Sequence, residues 1–222
     1  DIIKKSLGWP AGQTLLNNPQ RHDKSIRDYY RSIASMDLGV GRVMDELKKR
    51  GLDRNTVVLF TADNGYFSGE HGLAGKWLMY EPSLRVPGFL YDPRVACGRT
   101  SDNMVITTDF STTMLALAGL DIPDDMTGRD LTTLCSDPGA PWRSDFLYDH
   151  PYGHNGKIPR TVGVRNETYT FTRYTDPDPP FEQLFDLRTD PDQLNNLAEN
   201  PEYAELLKRM RDRCDELMEE CK

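Results

Sequence analysis

At 222 residues, with 37% apolar side chains and three Trp, the chain is long enough for one large domain or for a domain with a small appendage. Its 27 basic and 35 acidic residues leave a net charge of −8, which argues against a nucleic-acid partner, because phosphate binding needs clustered Lys and Arg. The longest apolar runs, such as Val57-Val58-Leu59-Phe60, are far too short to cross a bilayer, so no membrane partner is expected.

The chain opens Asp1-Ile2-Ile3-Lys4-Lys5, with neither a Met start nor a charged-then-apolar leader, and so reads as a mature, truncated or partial product. The first strong pattern is helical. Ile26, Tyr29, Tyr30, Ile33, Val40, Val43, Met44 and Leu47 recur at three- and four-residue spacing and form one apolar stripe. Lys48-Lys49-Arg50 suit the negative end of a helix dipole, and Gly51 suits the left-handed position beyond it. Asp37 falls inside the stripe, where it reads either as a buried, hydrogen-bonded acid fixing a loop or as a support for a nearby site.

Thr56–Thr61 is a short β-branched apolar run, expected to be a strand of a parallel sheet buried on both faces. Val86–Tyr91 reads as a second strand, and Thr107–Leu117 as a helix ended by Ala118-Gly119. This succession predicts an α/β layered fold. Beyond residue 138 the prolines multiply, and short runs at 146–148, 161–164, 169–172 and 183–185 predict a small antiparallel sheet. Two domains follow, residues 1–138 and residues 139–222. Asp176–Pro180 reads as an exposed loop. Asn200-Pro201-Glu202 then opens a last helix whose stripe is Tyr203, Leu206, Leu207, Met210, Cys214, Leu217 and Cys221. The four cysteines (Cys97, Cys135, Cys214, Cys221) lack zinc-type spacing, and Cys214 and Cys221 stand about 10 Å apart along a helix, too far for a disulfide.

Chemistry concentrates after the first strand. Asp63-Asn64 follow it directly, where ligands bind in open α/β sheets, and Gly65 allows the turn that lets both side chains converge. A carboxylate beside an amide carbonyl offers two hard oxygens, which suit Ca²⁺ or Mg²⁺ better than zinc or copper. Asp-Asn-Gly alone is also a common turn. The glycine-rich stretch 69–76 that follows carries His71 and ends in Lys76, whose compact ammonium suits a tetrahedral oxyanion. Asp149–Asn155, with His150 and His154, is polar and aromatic enough to meet a sugar, or is simply a surface loop.

Together these motifs carry a resemblance. Thr61-Ala62-Asp63-Asn64-Gly65, Gly69–Leu73 with Lys76, Tyr80-Glu81-Pro82-Ser83 and Arg85-Val86-Pro87 resemble the type I sulfatase family of the alkaline-phosphatase-like superfamily. Further matching stretches are the helix with Tyr30, Ile33, Asp37, Gly41 and Leu47; Thr107–Gly119 with Ile122-Pro123 and Gly128; and 182–187 with Asp190-Pro191 and 195–197. The resemblance covers most of the chain from about residue 25. It implies an incomplete alkaline-phosphatase-like α/β layer followed by a C-terminal antiparallel sheet and helix. Asp63 and Asn64 would be two of four protein ligands to calcium, with Mg²⁺ as the alternative. Lys76 would hold sulfate oxygens and stabilise the leaving group, His71 would line the site and orient its neighbours, and Arg85 would brace the fold. A sulfated small molecule or carbohydrate is the implied substrate, and the parent polypeptide would be exported, to the periplasm or outside the cell; the compartment and oligomeric state of this chain stay open.

The family's nucleophile is a formylglycine made within Cys/Ser-x-Pro-x-Arg. Ser136-Asp137-Pro138-Gly139-Ala140 comes nearest here but has Ala in place of Arg, and Cys97-Gly98-Arg99 has no Pro. The formylglycine is therefore expected in an N-terminal segment that this chain lacks, together with the remaining metal ligands. Two readings compete with a sulfatase fragment: a phosphodiesterase or phosphonate hydrolase of the same superfamily, and a non-catalytic module that binds sulfated sugars.

Overall fold

The computed structural model of the chain describes Gln13 and residues 16–95, 98–153 and 158–221. In chain order the elements are α1 (Pro19–Lys49), β1 (Val58–Thr61), β2 (Phe67–Ser68), β3 (Ala74–Gly75), α2 (Glu81–Leu84), β4 (Gly88–Tyr91), α3 (Thr107–Leu117) and α4 (Thr132–Ser136). β5 (Asp145–His150), β6 (Thr161–Asn166), β7 (Tyr169–Tyr174), β8 (Phe181–Asp186) and α5 (Ala204–Glu220) follow. These divide into two compact units. One takes in residues 16–63 with Val86–Ala140, and the other Asn64–Arg85 with the described residues from Pro141 onward.

In the first of these, α1 begins at Asn18, whose side chain accepts the Arg21 N–H at 3.1 Å, with Pro19 in the first turn. It ends with Lys48 and Lys49 in the last turn and Gly51 at φ 67°. The apolar stripe is present, yet no described residue of α1 is buried; Tyr30 is 66% and Val43 60% exposed. Asp37 is exposed as well, which corrects the reading of a buried acid: helical periodicity shows which residues share a face, not what covers that face. β1 starts at Val58 and pairs antiparallel with β4, Leu59 opposite Leu90 and Phe60 opposite Phe89. The expected parallel, doubly buried strand is thus, among the described residues, half of a two-stranded antiparallel ribbon with Val58, Leu59 and Phe60 half-buried.

α3 spans the expected residues. Its buried Asp109 accepts the N–H groups of Ile106 at 2.8 Å and Arg129 at 2.7 Å, which pins the returning chain to the first turn. The short α4, preceded by Asp130, whose Oδ1 accepts the Thr132 N–H at 2.9 Å, carries too few apolar positions for a periodic signal.

The second unit is built on the antiparallel sheet β5-β6-β7-β8. Its strands alternate between two covered faces. Val162, Val164, Phe171 and Leu184 pack against Leu207, Met210 and Cys214 of α5. Tyr174 and Phe185 look the other way, onto Phe67, Leu73, Leu78 and Tyr80 of the segment between β2 and α2. This sheet and its helix match the sequence expectation, with each strand longer by two or three residues. The last helix opens with a turn over Pro201–Tyr203 in which the Asn200 side chain accepts the Glu202 N–H at 3.1 Å. Cys221, placed in the buried stripe by spacing, is exposed because it falls at the helix end, beyond the sheet-packed stretch.

Candidate functional site

The segment 64–85 crosses the second face of the C-terminal sheet, and its own local chemistry explains its path. Gly65 donates its N–H to the Ser83 carbonyl at 2.9 Å, and a Cβ there would lie 2.1 Å from the Pro82 oxygen, so only glycine fits. β2 and β3 then form a short hairpin, Phe67 opposite Gly75 and Ser68 opposite Ala74. Phe67, Leu73, Leu78, Met79 and Tyr80 are almost fully buried and anchor the loop to the sheet. His71 and Trp77 hold left-handed backbone angles (φ 54° and 81°), a conformation that costs a non-glycine residue and marks a path dictated by tertiary packing.

Anchored in this way, the loop turns Lys76 onto Asn64. The Lys76 ammonium donates to Asn64 Oδ1 at 2.9 Å, and the Asn64 amide nitrogen donates to the Gly65 carbonyl at 2.7 Å. The second bond fixes which end of the amide faces the lysine. Lys76 Nζ also stands 5.8 Å from the Trp77 ring centroid, and the Trp77 carbonyl accepts the Tyr148 hydroxyl at 2.9 Å, so the loop is tied to β5 beside its lysine. Twelve residues separate Asn64 from Lys76 in sequence, and the folded loop brings them into hydrogen-bond contact.

His71 takes a different direction. Its ring lies 4.2 Å from that of Tyr80 and meets Phe67 edge-on at 6.3 Å. Burial holds its pKa below the ordinary value, with the charges of Glu70, Asp192 and Asp190 opposing the shift. Below it, the Tyr80 hydroxyl donates to Gln183 Oε1 at 3.1 Å, the Tyr174 hydroxyl to the same oxygen at 3.0 Å, and burial pushes the Tyr80 phenol up to about 12. Asp63 closes the other unit's described stretch at the end of β1, where it is exposed.

His150 is the last residue of β5, in register with Thr161, with its Nδ1 buried and, among the described residues, without a hydrogen-bond partner. His154 lies outside the described residues. Arg85 does not brace the fold: its side chain is 81% exposed and 4.0 Å from Glu81. That role belongs to Arg165, which grips both carboxylate oxygens of Glu81 at 3.2 Å. Sequence reading also passed over Gln193, a buried residue at φ 53° whose side-chain oxygen accepts the Glu81 N–H at 2.7 Å. Its place inside the Asp190–Asn196 turn, next to recognised motif residues, was the available signal.

As metal donors, the consecutive Asp63 and Asn64 offer oxygens of the right hardness. Asn64 Oδ1, which accepts the bond from Lys76, is an amide oxygen of the kind that hard cations take. Among the described residues no group of three or more His, Cys, Asp or Glu side chains could hold a metal, and calcium takes six to eight oxygens. As oxygen donors, the two suit part of a site for a hard divalent cation.

The chain thus combines a mixed helix-and-sheet fold, closed by an antiparallel sheet with one helix, with a loop that sets Lys76 on Asn64. The chain belongs to the sulfatase family: the Sulfatase model matches residues 9–120, and the model of the N-sulphoglucosamine sulphohydrolase C-terminal region matches residues 69–220. The family generally works with a divalent metal and a formylglycine. An N-acetylglucosamine-6-O-sulfatase of Bacteroides thetaiotaomicron is 30% identical over 228 residues, which take in 100% of this chain but 40% of that protein. A solved structure described as in complex with its substrate D-glucosamine-2-N,6-O-disulfate aligns with a TM-score of 0.83 at 29% identity, over 90% of this chain and 41% of the other. The phosphonate monoester hydrolase of Agrobacterium radiobacter shares the fold, with a TM-score of 0.80 at 23% identity over 92% of this chain and 43% of its own. The chain thus spans about two-fifths of the length of these relatives.

Proposed function

We propose that this chain is the C-terminal part of a sulfatase that hydrolyses sulfate esters of carbohydrates, and that it contributes the lysine and two metal ligands to the active site. The observation that carries this reading is the 2.9 Å contact between Lys76 Nζ and Asn64 Oδ1. It sets a fixed positive charge beside an oxygen suited to a hard cation. A sulfate ester placed there has an oxygen for each, and the ammonium hydrogen-bonds the sulfate and offsets charge growing on the leaving oxygen. Asp63 and Asn64 supply donors to a divalent ion, Ca²⁺ by the oxygen-only chemistry of the pair, with Mg²⁺ as the alternative. When bound, that ion draws charge from the sulfate oxygens. The nucleophile belongs to a Cys/Ser-x-Pro-x-Arg motif, which these 222 residues do not contain.

His71, held neutral by burial against Tyr80, keeps the loop's shape, so that Lys76 stays on target. His150, with a buried ring nitrogen to offer, lines the substrate side and meets the sugar, a role the sequence also suggests for His154. A glucosamine sulfate is favoured by the substrate named for one solved relative and by the name of the Bacteroides enzyme.

The test uses the full polypeptide that carries this chain, assayed on D-glucosamine 6-sulfate and on a phosphonate monoester, with and without a chelator. Chelator-sensitive sulfate release that outpaces phosphonate hydrolysis is the expected result. Faster phosphonate hydrolysis would replace the sulfatase reading with the phosphonate one. Tight sugar binding without turnover would replace it with a binding module.

A further inference from the structure

Trp77 follows Lys76 directly and stands in a conformation that its size makes costly. Its φ of 81° lies in the left-handed region, where a glycine or an asparagine would sit with less strain. The ring is half-buried, yet among the described residues it belongs to neither of the two apolar clusters of the C-terminal sheet. Core packing therefore does not account for an indole at this turn. What the fold supplies instead is a tether: the Tyr148 hydroxyl of β5 donates to the Trp77 carbonyl at 2.9 Å and holds the strained residue in place.

Tyr148 and His150 are two residues apart on β5, so both side chains leave the same face of the sheet, the one crossed by residues 64–85. His150 stands about 7 Å along the strand from Tyr148. Lys76 Nζ lies 5.8 Å from the centroid of the Trp77 ring. This face thus carries an ammonium fixed on Asn64, an aromatic ring beside it and, at the end of the tethering strand, His150 with its unpartnered Nδ1 among the described residues. An aromatic plane with a few polar groups around it is a lining that receives a sugar. The electron-rich face of the indole attracts the C–H groups of the sugar ring, and the polar atoms meet its hydroxyls.

We propose that Trp77 is a specificity-determining residue of this site: its indole is the platform on which the ring of a sulfated sugar lies while Lys76 holds the sulfate, and Tyr148 is the positioning residue that sets the platform. This role of Trp77 rests on the sulfatase reading, which puts the sulfate at Lys76. A sulfate that accepts from the ammonium carries its sugar within reach of a ring 5.8 Å away. An indole that only shielded the ammonium from water would matter equally for every anion held by Lys76, inorganic sulfate included.

The test uses the full polypeptide that carries this chain and titration calorimetry with two probes, D-glucosamine 6-sulfate and inorganic sulfate. Trp77→Ala should weaken binding of the sugar sulfate about tenfold or more and change sulfate binding by less than about twofold. Trp77→Phe, which keeps an aromatic plane, should recover most of the loss. Tyr148→Phe should weaken the sugar sulfate and spare sulfate in the same way; equal binding of both probes to this variant and to wild type would remove Tyr148 from the account. Circular dichroism checks that each variant folds, and an unfolded Trp77→Ala chain would show that the indole serves stability instead. Equal weakening of both probes by Trp77→Ala would show that Trp77 only shapes the lysine loop. Undiminished sugar binding, or a wild-type protein that binds the sugar sulfate no more tightly than sulfate, would show that the ring receives no sugar. The readout is binding, so a protein that shows the predicted split yet releases no sulfate keeps the platform and loses the sulfatase reading alone.

Discussion

Asn64 and Lys76 show how much one loop residue depends on others that never touch a substrate. Gly65 lets the loop pass under Pro82, and a methyl group there would sit 2.1 Å from a carbonyl oxygen. Gly65→Ala is therefore expected to destabilise the folded chain by about 3 kcal/mol or more, since the obstacle is backbone and cannot swing aside. A urea midpoint unchanged from wild type would contradict it. His71 gives a pH signature. Its folded pKa is lowered by burial, so the unfolded chain takes up a proton that folded His71 resists. The stabilisation is present above the unfolded value of about 6.5 and is lost as pH falls through the lowered folded value. His71→Gln should lose less stability than wild type between about pH 7.5 and pH 5 in urea melts. Parallel losses would show that His71 does not titrate differently on folding. At this scale residue type and spacing pointed to Asp63, Asn64, His71 and Lys76, and of these the fold brings Lys76 into contact with Asn64. The contacts of Gln193 and Arg165 with Glu81 were not legible, because each spans more than eighty positions; for Gln193 only its neighbouring motif residues gave a hint.

At the scale of elements, α3, the four C-terminal strands and α5 could be read because each carries its own period and end signals: Asn200-Pro201 before α5, Gly51 after α1. The partners of each element were harder to read. β1 has the composition of a strand covered on both faces, yet it stands in a two-stranded ribbon, and the stripe of α1 is exposed. Composition records the environment a strand is suited to, whereas its pairing depends on which other strands share the chain. α5 shows the opposite case, a stripe with its partner sheet at hand. Cys214 lies on that stripe, fully buried, and burial pushes its thiol up to about 11. In the native chain at pH 8, iodoacetamide should modify the exposed Cys135 and Cys221 and spare Cys214, which should react only after urea is added. Site-resolved mass spectrometry checks this, and early modification of Cys214 would show that α5 detaches from the sheet.

For the molecule as a whole, the sequence patterns and the fold agree on the sulfatase family, and the residues 64–85 that carry Asn64 and Lys76 are packed on the C-terminal sheet through Phe67, Leu73, Leu78 and Tyr80. The sheet is thus the platform of the lysine loop, and damage to it should reach the site. The central claim is that Lys76, fixed on Asn64, acts on the sulfate group. Its most direct test is Lys76→Ala in the full polypeptide carrying this chain, with sulfate release from D-glucosamine 6-sulfate followed beside circular dichroism. The account predicts a loss of about 100-fold or more in kcat with the fold intact, the magnitude expected when a charge stabiliser is removed from a transition state. A Lys76→Ala enzyme that releases sulfate at the wild-type rate would contradict it.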